Sequence, residues 1–215
     1  MARQRDRVKT PRRYDGSRRR RAAAASRERT LDVAQEKFLG QGFAATTIAS
    51  IAEEAGVSVD TIYKTYGGKA GLLRAIAERG LLGAGPEPAE SRSDRLQQTE
   101  TDPEALMAGI GRLAAEVAPR IAPMLLVIAQ AADTDPEVAA LREHLELRRL
   151  ERMTHNAQQL YDRGFIRPGL SVEEVGEIMW AMSSPELYDL LVNRRGWTPQ
   201  RLGEFTAQQL SAAVL

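Results

Sequence analysis

The 215-residue chain contains no cysteine and only two histidines. Disulfides, thiol catalysis and zinc knuckles are excluded by that count. His144 and His155 lie about three helical turns apart on one expected helix, too far for joint metal ligation. Aromatic residues make up only 5% of the chain while hydrophobic residues reach 43%, and with frequent Ala, Leu, Glu and Arg that balance favours helices over sheet. No apolar run approaches the roughly 18 to 20 residues of a membrane span, and no signal peptide precedes the basic start. A soluble, cytoplasmic protein without a membrane partner is therefore expected. Neither a phosphate-cradling glycine loop nor a nucleophile paired with a base stands out, so no enzyme, cofactor or metal is expected.

What is present is charge, unevenly spread. The net charge is +1, yet residues 1 to 70 hold 15 Lys and Arg against 8 Asp and Glu, which leaves the remainder acidic. A basic N-terminal third on an acidic body is the electrostatic footprint of nucleic-acid binding at one end. Residues 1 to 20 carry Arg3, Arg5, Arg7, Lys9, Arg12, Arg13 and the run Arg18 to Arg21 without apolar periodicity, and read as a flexible arm. Two roles stay open for it: a strand along phosphates or a minor groove, and a solvated tail.

Residues 46 to 69 read as two short helices joined by a tight turn. Ile48, Ile51, Ala52 and Ala55 recur at helical spacing after the N-cap candidate Thr47. Gly56 stands where positive φ is needed, and Ser58 opens a second helix. Val59 and Ile62 are expected to point inward against Ala52 and Val57. Asp60, Thr61, Tyr63 and Lys64 then face outward, with donors and acceptors that reach base edges and phosphates in a major groove. Thr47, Tyr63, Tyr66 and Lys69 are the phosphate candidates, with core filling as the other reading of Tyr66. Thr46, beside Thr47, and the capping Ser58 complete the DNA-facing set, in which Val59, Asp60, Thr61 and Lys64 read bases.

With Phe43 and Thr46-Thr47 before this unit and Tyr63, Tyr66, Lys69 and Leu72-Leu73 in and after it, residues 24 to 76 strongly resemble the DNA-binding domain of the TetR (tetracycline-repressor-like) family. Two positions depart from the family pattern. Asp60 stands where a small or neutral residue is usual, either as a helper of the cap or as an acceptor for a cytosine amino group. Gly68 stands where Ser or Asn would cap the fourth helix better.

Other elements follow from pattern and caps. A first helix is expected from about Arg20 to Gly40, ended by Gly40 and Gly42, and a fourth from Lys69 to Gly80–Gly83. Residues 81 to 101, rich in Gly, Pro and charge, read as a linker. From 102 on, Asp102-Pro103, Asp135-Pro136, the Ser171 capping box and Thr198-Pro199 open helices. Pro119 and Pro123 are expected to break the first of these. Met107, Met124, Met153, Met179, Met182 and Trp180 suit either an adaptable apolar ligand site or plain core.

The expectation is an all-α protein: a basic arm (1–20), a helix-turn-helix domain (21–80), a linker (81–101) and a helical ligand-binding and dimerisation domain (102–215). The resemblance implies a regulator of transcription, ligand-responsive and acting as a homodimeric repressor on a palindromic double-stranded DNA operator. It also implies a small-molecule effector and a dimer seam in the last two helical segments, where Leu187, Leu190, Leu191, Phe205 and Leu210 supply apolar surface. A DNA-binding architectural module without ligand control is the alternative.

Overall fold

The computed structural model describes residues 16–85 and 87–215, and no strand occurs among them. The expected arm falls largely on residues 1–15, outside the described residues. Its end does not stay irregular: α1 spans Gly16–Ala45, interrupted at Gly42 with φ 82° and ψ 165°. Gly40 therefore does not end the helix; the positive φ falls at Gly42 instead. Leu31, Val33, Ala34 and Phe38 bury one face of α1, whereas Ala23 and Arg27, expected on that stripe, are exposed.

Helices α2 (Ile48–Ala55), α3 (Val59–Tyr66) and α4 (Lys69–Leu82) follow with their expected limits. Gly68 precedes α4 without any side-chain cap. Beyond it the linker expectation fails, because Ala89–Thr99 forms helix α5. This helix carries no apolar period since polar groups hold it. Arg92 makes a two-pronged bond to Glu116 at 2.6 and 2.8 Å, and Arg152 reaches Asp94 at 2.6 Å. Buried Gln97 donates to Asn156 at 2.9 Å, and the Arg163 guanidinium donates to the carbonyls of Gln97 and Glu100. Leu96 seats against Gly109, where a Cβ would meet its methyl at 2.5 Å.

A second expectation also fails. α6 runs unbroken from Pro103 to Ala132 through Pro119 and Pro123. Each proline removes one backbone donor, but α6 is held by α4, α7, α9, α10 and α1 on its several sides, and tertiary packing outweighs the two lost bonds. The backbone of α6 presses directly on α4 here: a Cβ at buried Gly80 would stand 3.0 Å from the Arg120 carbonyl oxygen. As one helix, α6 is long and apolar enough to cross a membrane by length and composition, which the broken reading missed; in this fold it is the central helix.

The remaining helices are α7 (Pro136–Asp162), α8 (Val172–Met182), α9 (Pro185–Tyr188) and α10 (Pro199–Val214). Asp135, Ser171, Ser184 and Thr198 cap them through side-chain oxygens. α9 widens into a π-helical turn over Asp189–Arg194. One apolar cluster joins Phe38, Ile51, Ile62, Leu72 and Ile76 to Met124, Ile128, Val138 and Leu141. The helix-turn-helix and the body thus share a continuous core across residue 80. A second cluster joins Leu106, Met107, Leu160, Val175, Met179 and Leu210, and a third joins Ala122, Tyr188 and Leu202.

Candidate nucleic-acid interface

The reading head is set by small residues and caps. Thr47 takes the Ser50 amide at 3.1 Å, starting α2, and Ala52 and Ala55 are buried where α2 meets its neighbours. Gly56 turns the chain at φ 67° and ψ 37°, a conformation that glycine adopts without steric cost. Arg29 of α1 donates to the Ala55 carbonyl at 2.8 Å, closing the end of α2. Ser58 then accepts the Thr61 amide at 3.0 Å and shares a hydroxyl bond with Thr61 at 2.8 Å.

Ile62 is the buried residue of α3. Val59, expected inward, is 41% exposed; it stands in the exposed set of α3 with Asp60, Thr61, Tyr63 and Lys64, and Ile62 alone is buried there. Tyr63 is 53% exposed. Asp60 and Lys64, one turn apart, form an ion pair at 2.6 Å. Ser58, not Asp60, makes the capping bond.

Three further candidates are engaged inside the domain. Thr46 is buried, its hydroxyl donating to Gly42 at 2.8 Å and accepting from Gln41. This corrects its assignment to the DNA face: the side chain locks the α1–α2 turn. Tyr66 packs on the head core and its hydroxyl donates to the Arg27 carbonyl at 3.4 Å, while burial raises its pKa. Lys69 donates to the Phe43 carbonyl at 2.8 Å and lies 4.1 Å over the Phe43 ring. Sequence reasoning missed a clamp between α1 and α4. Arg79 reaches Asp32 at 2.7 Å, Glu28 at 3.2 Å and Gln35 at 2.8 Å. The i, i+4, i+7 spacing of Glu28, Asp32 and Gln35 was the available signal.

The ligand candidates do not surround one cavity. Met107, Met153 and Met179 pack in the second cluster with Met182, whereas Met124 belongs to the first. Trp180 lies 4.5 Å under the Arg149 guanidinium, which donates to the Trp180 carbonyl at 2.6 Å and is half-buried. A hollow of about 30 Å³ borders Arg149 between Leu125, Leu145 and Pro185. A more open one of about 260 Å³ lies between α5 and α6, lined by Arg92, Leu96, Gly109, Arg112, Leu113 and Glu116. None of the methionine candidates lines either.

Of the seam candidates, Leu190 is 50% exposed, and Leu187, Leu191 and Phe205 are half-buried. Leu210 is 2% exposed and packs inside its own subunit. That corrects its place in the seam: Leu210 lies on the buried stripe of α10, with Leu202, Gly203, Thr206 and Val214, and not beside Phe205.

Residues 31–76 match the family model described as bacterial regulatory proteins of the tetR family. The HTH-type transcriptional regulator YvkB of Bacillus subtilis (strain 168) is 35% identical over 75 residues, 35% of either chain. The match thus spans about a third of that relative's length. Among solved structures, a TetR-family transcriptional regulator from Syntrophomonas wolfei superposes with a TM-score of 0.71 at 18% identity, covering 88% of this chain and 95% of that one. The SmeT–triclosan complex gives 0.68 at 22% identity, covering 89% and 92%.

Proposed function

We propose that this chain, whose residues 31–76 match the model for bacterial regulatory proteins of the tetR family, is a cytoplasmic, ligand-responsive repressor of that family that binds a palindromic operator as a homodimer. The observation that carries the reading is α3: Ile62 anchors it while Val59, Asp60, Thr61, Tyr63 and Lys64 all stand outward on one short capped helix. Such a helix fits a major groove. One head buries too little surface for specific affinity, so two heads about 34 to 36 Å apart are required. Leu190, with half-buried Leu187, Leu191 and Phe205 beside it, supplies apolar surface for that pairing.

Control by a small molecule rests on the continuity of the core. α4 shares its apolar cluster with α6 and α7, so a ligand that favours one arrangement of the body biases the head spacing through α4. SmeT, which shares the fold, is described in complex with triclosan.

The test is to sequence DNA fragments retained by the purified protein and to measure its mass by light scattering. A palindrome with half-sites one helical turn apart and a dimer that Leu190→Glu dissociates are expected. Sequence-tolerant retention refutes the operator and favours an architectural module; a monomeric wild-type protein refutes the dimer.

A further inference from the structure

The two charged side chains on the outer face of α3 are bound to each other. Asp60 Oδ2 and Lys64 Nζ are 2.6 Å apart although the two side chains are 71% and 75% exposed. Asp60 is not consumed in capping, since Ser58 holds the Thr61 amide. Nor does the next cation along the chain compensate, because Lys69 is drawn onto the Phe43 carbonyl. The reading helix therefore presents a neutral charge pair to a polyanion. It contributes little of the sequence-independent attraction on which nonspecific binding rests.

We propose that Asp60 sets the discrimination of the head: it withholds Lys64 from phosphate and admits α3 only where the groove offers an amino donor. In the major groove such donors are cytosine N4 and adenine N6, whereas guanine O6 and N7 and thymine O4 are acceptors that repel a carboxylate. The first turn of a recognition helix is the part that meets base edges, and Asp60 is in that turn. On a matching sequence the carboxylate exchanges Lys64 for a base amino group, and the released ammonium finds phosphate. On other sequences the pair stays closed, or opens against repulsion.

This rests on the DNA-binding reading of the head, and the experiment separates the two. Affinities of wild type, Asp60→Asn, Lys64→Ala and the double variant are measured by fluorescence anisotropy across a salt series. The probes are a short random-sequence duplex and the most enriched retained fragment. Asp60→Asn is expected to bind the random duplex more tightly, with a salt slope steeper by about 0.9, or about 8-fold at 0.1 M salt, because the freed Lys64 neutralises one more phosphate. The preference for the enriched fragment should fall at least about fivefold, the low end for loss of one specific base interaction. In the Lys64→Ala background the tighter binding to random DNA should shrink. Unchanged random-duplex affinity and slope in Asp60→Asn, or an equal increase with and without Lys64, overturns the proposal while leaving the DNA-binding reading intact. A wild-type protein that binds neither probe overturns both.

Discussion

Gly203→Ala adds one methyl group where α6 and α10 cross backbone to backbone. Gly111 and Ala115 of α6 face Gly203 and Ala207 of α10, small residues four apart on both helices. A Cβ at Gly203 would stand 2.3 Å from the Gly111 carbonyl oxygen and 2.8 Å from the Ala115 methyl; one at Gly111 would meet the Gly203 carbonyl at 2.3 Å. The obstacle is backbone, which no rotamer change moves aside. The helices must part by about 1 Å, and a gap of that size forfeits a quarter to a half of the dispersion attraction of each contact it opens. Overpacking costs typically about 1–3 kcal/mol, and a rigid obstacle puts Gly203→Ala at the upper end. At about 2–4 °C per kcal/mol for a chain of this size, the melting temperature should fall by about 6–12 °C. Gly40→Ala is the control. Gly40 lies in α1 with nothing within 4 Å of its added Cβ and no positive φ, so alanine should stabilise by about 0.5–1 kcal/mol. Circular dichroism melts of the two variants decide the matter. A Gly203→Ala protein that melts with wild type, or a Gly40→Ala protein that loses as much, refutes the crossing.

Two further outcomes follow from polar contacts. Lys69→Ala loses a charge-assisted bond and a ring contact to Phe43, together worth about 2 kcal/mol, so melting temperature and DNA affinity should fall together; lost affinity at an unchanged melting temperature would return Lys69 to a pure phosphate contact. The Arg92 hydrogen bond, with help from the Ala84 amide, holds Glu116 down at about 2 from its ordinary 4.5, and a depressed carboxyl stabilises fully above its unfolded value and loses that contribution as pH falls toward the folded one. Glu116→Gln should therefore lose less melting temperature than wild type between pH 5 and pH 3, and equal losses would remove Glu116 from the acid response.

The local elements of the head were readable because each rests on a residue whose chemistry has few alternatives. Thr47 and Ser58 cap, Gly56 turns and Ile62 plugs, and all four do so in the structure. The errors share a different physics. α5 hides from any hydrophobic period because ion pairs attach it, and partners such as Glu116 and Arg152 lie more than twenty and nearly sixty positions away. α6 survives two prolines only because other helices enclose it. Thr46 carries the right chemistry for phosphate, but its hydroxyl bond to Gly42 is set by the turn that α1 makes there, while Tyr66 takes the core-filling side of the two readings open to it. Tertiary position, not residue type, separates them from Tyr63 and Thr61, which remain outward.

The same contacts explain how head and body form one mechanical unit. α4 is fixed at its start by Lys69 on Phe43, in its last turns by Arg79 on Glu28, Asp32 and Gln35, and along its length by buried Leu72, Leu73, Ile76 and Ala77. The two polar attachments lead to the head, and the buried residues belong to the core that head and body share. On the other side Gly80 lies so close to the Arg120 carbonyl of α6 that a single methyl group would fill the space. Packed interiors deform little at such contacts, so a shift of α6 near Arg120 has no gap to absorb it before α4 moves. Since Arg79 ties α4 to α1, and Arg29 ties α1 to the end of α2, a displacement of α4 is passed on toward the helix-turn-helix. On the proposed reading, a ligand of the body therefore acts on DNA through α4, by where the two heads stand.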